Sequence, residues 1–148
     1  MATTDLLKAC PLFYELYDQE IDKVVDKCSV YTFQPGDHIV KDGDEGSEIF
    51  IILDGEAWVQ KKTPTGLARI QPLRNGDVFG ELVLIDVRTR SADIVAETPC
   101  HVLEIKYEDI FKLYKQEPKI FSLLILNLSR LLAKRLRSSN QIILKLKG

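Results

Sequence analysis

Phe79-Gly80-Glu81-Leu82-Val83-Leu84-Ile85, followed after a short loop by Arg90-Ser91-Ala92, is the stretch on which the reading of this chain turns. Gly80 permits a tight backbone turn out of a strand, and the residues after it can open a short helix whose N–H groups point outward. Such a turn makes an anion cradle. Arg90, nine positions beyond Glu81, offers a planar fork of donors that matches two phosphate oxygens at once, and Ser91 adds a hydroxyl. Together they can hold one singly charged cyclic phosphate. Glu81 would repel that anion, but a carboxylate beside it is suited to accept a hydrogen bond from a sugar hydroxyl.

Outward from this stretch, residues 28–106 carry short β-branched and aromatic runs such as Ile49-Phe50-Ile51-Ile52-Leu53 and Ala57-Trp58-Val59. Turn signals separate them, among them Pro35-Gly36-Asp37, Asp42-Gly43-Asp44, Asp54-Gly55, Pro64-Thr65-Gly66 and Asn75-Gly76-Asp77. Strands punctuated in this way predict a compact antiparallel β unit and not βαβ repeats. Before it, apolar residues at helical spacing from Leu6 to Val25, broken at Pro11, predict two short helices, the second capped by Asp18. After it, Glu108 to Gln116 reads as one helix and Lys119 to Lys147 as a longer one, with Pro118 in its first turn, where the missing N–H costs nothing. The expected fold class is α+β, mainly β. N-terminal helices occupy 1–27, an antiparallel β-roll 28–106, and a hinge with C-terminal helices 107–148, all in one domain.

The long helix carries two apolar stripes. Phe121, Leu124, Leu128 and Leu131 suit packing on the β unit, whereas Ile125, Ser129, Leu132, Leu136, Ser139, Ile143 and Leu146 follow the alternating spacing of a coiled-coil seam. The second stripe predicts a parallel homodimer.

In these motifs the chain resembles the cyclic-nucleotide-binding family, of the type found in catabolite activator protein and the regulatory subunit of protein kinase A. LLKACPLFYEL resembles the family's helical opening, and FQPGDHIVKDGDEGSEIFIILDGEAWV its early strands. PLRNGDVFGELVLID with RTRSADIVA resembles its phosphate-binding cassette, here 79–92. The resemblance implies a jelly-roll-like β-roll of about eight strands and a stand-alone, bacterial type of domain. It assigns Glu81 to the ribose 2′-hydroxyl, Arg90 to the cyclic phosphate, and the amides of Leu82 and Val83 to the cradle. Gly80, Phe79, Ser91 and Ala92 belong to the same cassette, and Ile70 and Leu73 are expected against the purine. The helix segment Lys134-Arg135-Leu136-Arg137-Ser138-Ser139-Asn140 resembles the part that closes over the base, which makes Arg135, Ser139 and Asn140 candidates, the last two partly from a partner subunit. Val83 and Thr89 depart from the family pattern, which more often has a small residue and a proline there. The ligand implied is cAMP or cGMP, with Ser91 and the helix favouring cAMP.

Other classes find little support. The chain has 148 residues, 45% of them hydrophobic, and a formal net charge of -2, which gives no global attraction to nucleic acid or anionic membrane. Cys10, Cys28 and Cys100 are odd in number and lack a CxxC pair, consistent with reduced packing thiols. His38 and His101 make no metal-ligand pair, and no nucleophilic triad suggests itself. The basic residues Lys134, Arg135, Arg137, Lys145 and Lys147 suit a solvated helix end better than a DNA surface. No secretory signal or membrane span is apparent. The expectation is a cytoplasmic, non-catalytic sensor with no cofactor, metal, nucleic acid or membrane partner, reporting to a downstream effector. A nucleotide-free interaction module of the same fold is the alternative.

Overall fold

The computed structural model describes residues 2–85 and 88–147; positions 86 and 87 of the expected cassette lie outside the described residues. Among the described residues, eight strands form two antiparallel sheets. β1 (Ser29–Phe33), β8 (Cys100–Lys106), β3 (Glu48–Asp54) and β6 (Val78–Phe79) make one, in that order. β2 (His38–Val40), β7 (Asp93–Ala96), β4 (Ala57–Thr63) and β5 (Gly66–Leu73) make the other. This is jelly-roll connectivity, and it agrees with the expected β-roll.

The continuous apolar run Ile49 to Leu53 is explained by burial on both faces of β3. Ile49, Ile51 and Leu53 pack on the helices, while Phe50 and Ile52 face the space between the sheets. β8 divides its side chains likewise, with Leu103 and Ile105 toward the helices and Cys100 and Val102 toward the roll interior. One strand pair thus walls two cores, a helical one and a smaller one inside the roll.

α1 (Thr3–Lys8) and α2 (Asp18–Val25) flank a single 3-10 turn at Pro11–Phe13, so the N-terminal helices are shorter than the periodicity predicts. Asp18 is the first residue of α2 and not its cap; the Glu20 carboxylate instead accepts from the Tyr17 N–H at 2.9 Å. α3 (Tyr107–Gln116) leads through Glu117 into α4 (Pro118–Lys147), a helix of 30 residues and about 45 Å.

Only the first half of α4 is covered. Ile120, Leu124 and Leu128 are buried, with Phe121 and Leu131 packed beside them, as the first stripe predicts. Beyond them Leu132, Leu136, Ile143 and Leu146 are exposed. Among the described residues no helix is long and apolar enough to cross a membrane. Burial pushes the Cys10 thiol up to about 11 and the Cys28 thiol up to about 12, in keeping with packing roles.

A polar residue that periodicity did not single out fastens α4. Asn127 is 2% exposed and its amide donates to the carbonyls of Leu12 at 3.0 Å and Tyr14 at 2.8 Å, while its own oxygen accepts from Arg130 at 3.1 Å. Asn127→Leu would leave two carbonyls of the 3-10 segment without their donor. Urea unfolding should show a loss of about 1–3 kcal/mol, and an unchanged midpoint would contradict the clamp.

Candidate functional site

The roll is open at one end, where a cavity of about 310 Å³ lies between the cassette and the strands. Val40, Val59, Leu73 and Ile94 give it an apolar wall; Gly80, Glu81, Thr89, Arg90, Ser91 and Ala92 give it a polar one. That volume stands at the small end of the usual range for ligand pockets.

Arg90 is the centre of the polar wall. Its backbone is held by the Asp42-Gly43-Asp44 turn, since the Arg90 N–H donates to Asp44 O and the Gly43 N–H donates to Arg90 O, both at 2.8 Å. The side chain, 10% exposed, runs between two glycines. A Cβ on Gly46 would sit 2.5 Å from Arg90 Nη2, and one on Gly80 would sit 2.8 Å from Nη1. Gly80 also adopts φ +81, which L side chains disfavour. Gly46 has no such conformation to excuse it, so what it supplies is room. Nη2 donates to the Glu48 carbonyl at 2.9 Å and to Glu48 Oε2 at 3.1 Å, and the guanidinium stacks over Phe50 at 5.6 Å. The fork is seated before any ligand arrives.

Glu81 opens a 3-10 turn, Glu81–Ile85, instead of an α-helix. Its carboxylate accepts from Arg135 Nη1 at 3.0 Å, and Arg135 Nη2 donates to Val78 O at 2.7 Å. Arg135 therefore brings α4 to the rim of the cavity and contributes to its lining.

Most of the residues picked from sequence converge here: Phe79, Gly80, Glu81, Leu82, Arg90, Ser91, Ala92, Leu73 and Arg135 all line the cavity. Three groups do not. Ile70 is 57% exposed and outside the lining, since it stands three positions from the inward Leu73 and so on the opposite face of β5. Gln71, two positions from Leu73, takes the place in the cavity wall, and a register slip that pairs Val59 with Gln71 and Gln60 with Arg69 leaves Ile70 as the extra residue of a bulge. Val83 is buried and not in the lining, and its N–H donates at 3.3 Å to Gly80 O, back along the turn. Its bulk consequently does not crowd the cavity. Ser139 and Asn140 are exposed, one turn and more beyond Arg135, and do not reach the cavity of their own chain.

His38 stands on β2, 3.9 Å from Asp93, and His101 on β8 of the other sheet, within 3.1 Å of the Thr32 hydroxyl. The two are on different sheets. Gly46 and Glu48 were not singled out from sequence; the available signal was a glycine at the start of a strand where no turn requires one.

A jelly roll whose end cavity sets one guanidinium and one carboxylate against an apolar wall is a binding domain for a small amphipathic anion. The chain belongs to the cyclic nucleotide-binding domain family, whose model matches residues 30–117. Among curated proteins it is 36% identical over 86 residues to the cAMP-dependent protein kinase regulatory subunit of Mycosarcoma maydis, covering 58% of this chain and 16% of that one. It is 32% identical over 138 residues to Glutaminase 1 of Bradyrhizobium diazoefficiens, covering 93% of this chain and 22% of that one. The chain thus spans about a fifth of the curated relatives it matches. Among solved structures, Thermus thermophilus catabolite activator protein superposes with a TM-score of 0.79 at 29% identity, over 93% of this chain and 63% of that one.

The slot beside Gly46 gives a sharp expectation. In Gly46→Ala the atoms nearest the added methyl are all at the end of the Arg90 side chain and none is backbone, so the fold should survive with its melting temperature within a few degrees. Cyclic-nucleotide affinity measured by calorimetry should nonetheless fall about tenfold or more, because the fork must turn aside. Unaltered affinity would show that the slot does not set the position of Arg90.

Proposed function

We propose that this chain is a non-catalytic sensor of a cyclic nucleotide, cAMP in preference to cGMP, which reports occupancy through α4. The observation that carries this is the convergence of Arg90 and Glu81 on one cavity with an apolar wall. The cyclic phosphate pairs with the guanidinium, a ribose hydroxyl donates to Glu81, and the purine lies against Leu73, Val59 and Gln71. Ser91 adds a hydroxyl at the phosphate. The kinship with both cAMP-dependent kinase regulatory subunits and cGMP-dependent protein kinase 2 supports a cyclic nucleotide, and the preference for cAMP rests on Ser91 and the long helix.

A charge-assisted hydrogen bond contributes about 1.5–3 kcal/mol, and micromolar binding requires about 8 kcal/mol. Two contacts to Arg90, one to Glu81 and burial of the purine reach that range together, and none reaches it alone.

Transmission follows from Arg135. It already holds Glu81 and Val78 O, so a nucleotide that enlists Glu81 changes what the helix is bonded to. The ligand shifts α4 only as far as it binds the two helix positions unequally. The exposed seam of Leu132, Leu136, Ile143 and Leu146 supports a parallel homodimer, within which Ser139 and Asn140 of one copy serve the cavity of the other. The work is that of a cytoplasmic regulator acting on an effector protein, without metal, cofactor, DNA or membrane.

Thermal shift with cAMP and with cGMP is the first test, and stabilisation should rise with ligand concentration. Arg90→Glu should abolish that shift while leaving the unliganded protein folded; near-normal affinity by calorimetry would refute the assignment. Amide exchange across 119–147 should differ with and without nucleotide, and identical protection would leave the helix outside the mechanism. Absence of any shift with either nucleotide would favour the interaction module.

A further inference from the structure

We propose that Glu48 is a built-in counter-ion that competes with the ligand phosphate for Arg90 and holds the affinity of the site below what its geometry allows. This rests on the cyclic-phosphate reading of the cavity given above.

Arg90 is a partition between two hollows. It lines the end cavity and also a second one of about 260 Å³, which His38, Lys41, Asp44, Glu45 and Glu48 border. Glu48 belongs to the second hollow only. It therefore does not touch the nucleotide and acts through Arg90, as a positioning residue at most.

Positioning, however, is already supplied by the main chain. Nη2 donates to the Glu48 carbonyl at 2.9 Å as well as to Oε2 at 3.1 Å, and the carbonyl stays whatever side chain follows it. The two glycines fix the fork from its other sides. Apart from an acceptor for the Ser47 N–H at 3.0 Å, what the carboxylate adds is negative charge, behind a guanidinium that is 10% exposed and in a place where Glu48 itself is 30% exposed. Water screens that charge only in part. The neighbouring Glu104 feels the same charge: burial first, and Glu48 second, push its carboxyl up. An anion arriving at the front of Arg90 meets a cation whose charge is already partly balanced.

The consequence has a definite sign. Glu48→Gln keeps an oxygen for Nη2 and removes the charge, so cyclic-nucleotide affinity should rise about tenfold by calorimetry, the scale expected for one like charge a few ångströms behind the contact. Glu48→Ala, which retains the carbonyl contact, should also bind more tightly and serves as the readout if the glutamine variant does not fold. Glu48→Asp keeps the charge and should stay within about twofold of the original. The gain in Glu48→Gln should narrow between low and high salt, a dependence that a purely structural role would not produce. The unliganded glutamine variant should melt lower, and its stabilisation by nucleotide should be larger.

If the original chain binds nucleotide and Glu48→Gln binds equally or more weakly, the counter-ion proposal is overturned while the function stands. If neither protein binds cAMP or cGMP, the functional reading falls and the proposal with it. Tighter binding by the neutral variants, with the aspartate variant unchanged, supports both.

Discussion

The open end of the roll depends on keeping one guanidinium buried, charged and aimed. Arg90 is 10% exposed, which would be costly for an unpaired cation, and it is satisfied by a strand carbonyl, a carboxylate and an aromatic face. Everything near it is arranged around that need. The Asp42-Gly43-Asp44 turn brackets its backbone, β3 delivers Glu48 and Phe50, and Gly46 and Gly80 clear the space that any Cβ would fill. The jelly roll brings these pieces together because the start of β3, the end of β6 and the approach to β7 meet at the same end.

A second constraint is the attachment of α4 at two places. Asn127 and Arg130 fasten its first half to the segment around Leu12 to Glu15, with Arg130 3.3 Å from the Glu15 carboxylate. Lys119 and Glu117 add surface ion pairs to Glu20 and Lys23 of α2, each worth little alone. Eight residues on from Asn127, Arg135 touches the cassette. A helix anchored by a buried amide at one point and by a half-buried ion pair at another can pivot at the second without releasing the first.

Much of this was legible in the sequence, and what was not has physical causes. Turn residues and β-branched runs delimit the strands because Gly and Asp hold the tight turns between them, and the family motif then fixes their order, which periodicity alone does not. The meeting of Glu81 and Arg90 on one cavity was readable because a glycine turn out of a strand, with a carboxylate and an arginine close by in sequence, is a local pattern. Ile70 was misplaced because its apolar character was taken for an inward position, whereas it lies an odd number of residues from Leu73 and so on the other face, and the polar Gln71 takes the wall. Asn127 looked like one more polar position on a helix; its worth comes from carbonyls 113 and 115 residues away, and no local pattern encodes that. Glu48 is hidden for the same reason, as its partner lies 42 positions on.

Under the proposed function, the two acids on either side of Arg90 do opposite work on one ligand. Glu81 faces the cavity, where a sugar hydroxyl can donate to it, so its charge is spent on a neutral group and on Arg135. Glu48 stands behind the cation and can only offset it. Under the proposed function, the ribose and Arg135 then meet at the same carboxylate. If the hydroxyl takes the oxygen that Arg135 holds, the helix keeps only its bond to Val78 O and loosens; if it takes the other oxygen, Glu81 bridges ligand and helix and draws α4 down. The Val78 contact at 2.7 Å favours the second outcome, because it keeps Arg135 at the rim whichever oxygen the sugar selects. Closure of the helix over an occupied cavity is then the state in which every charged group at the site has a partner.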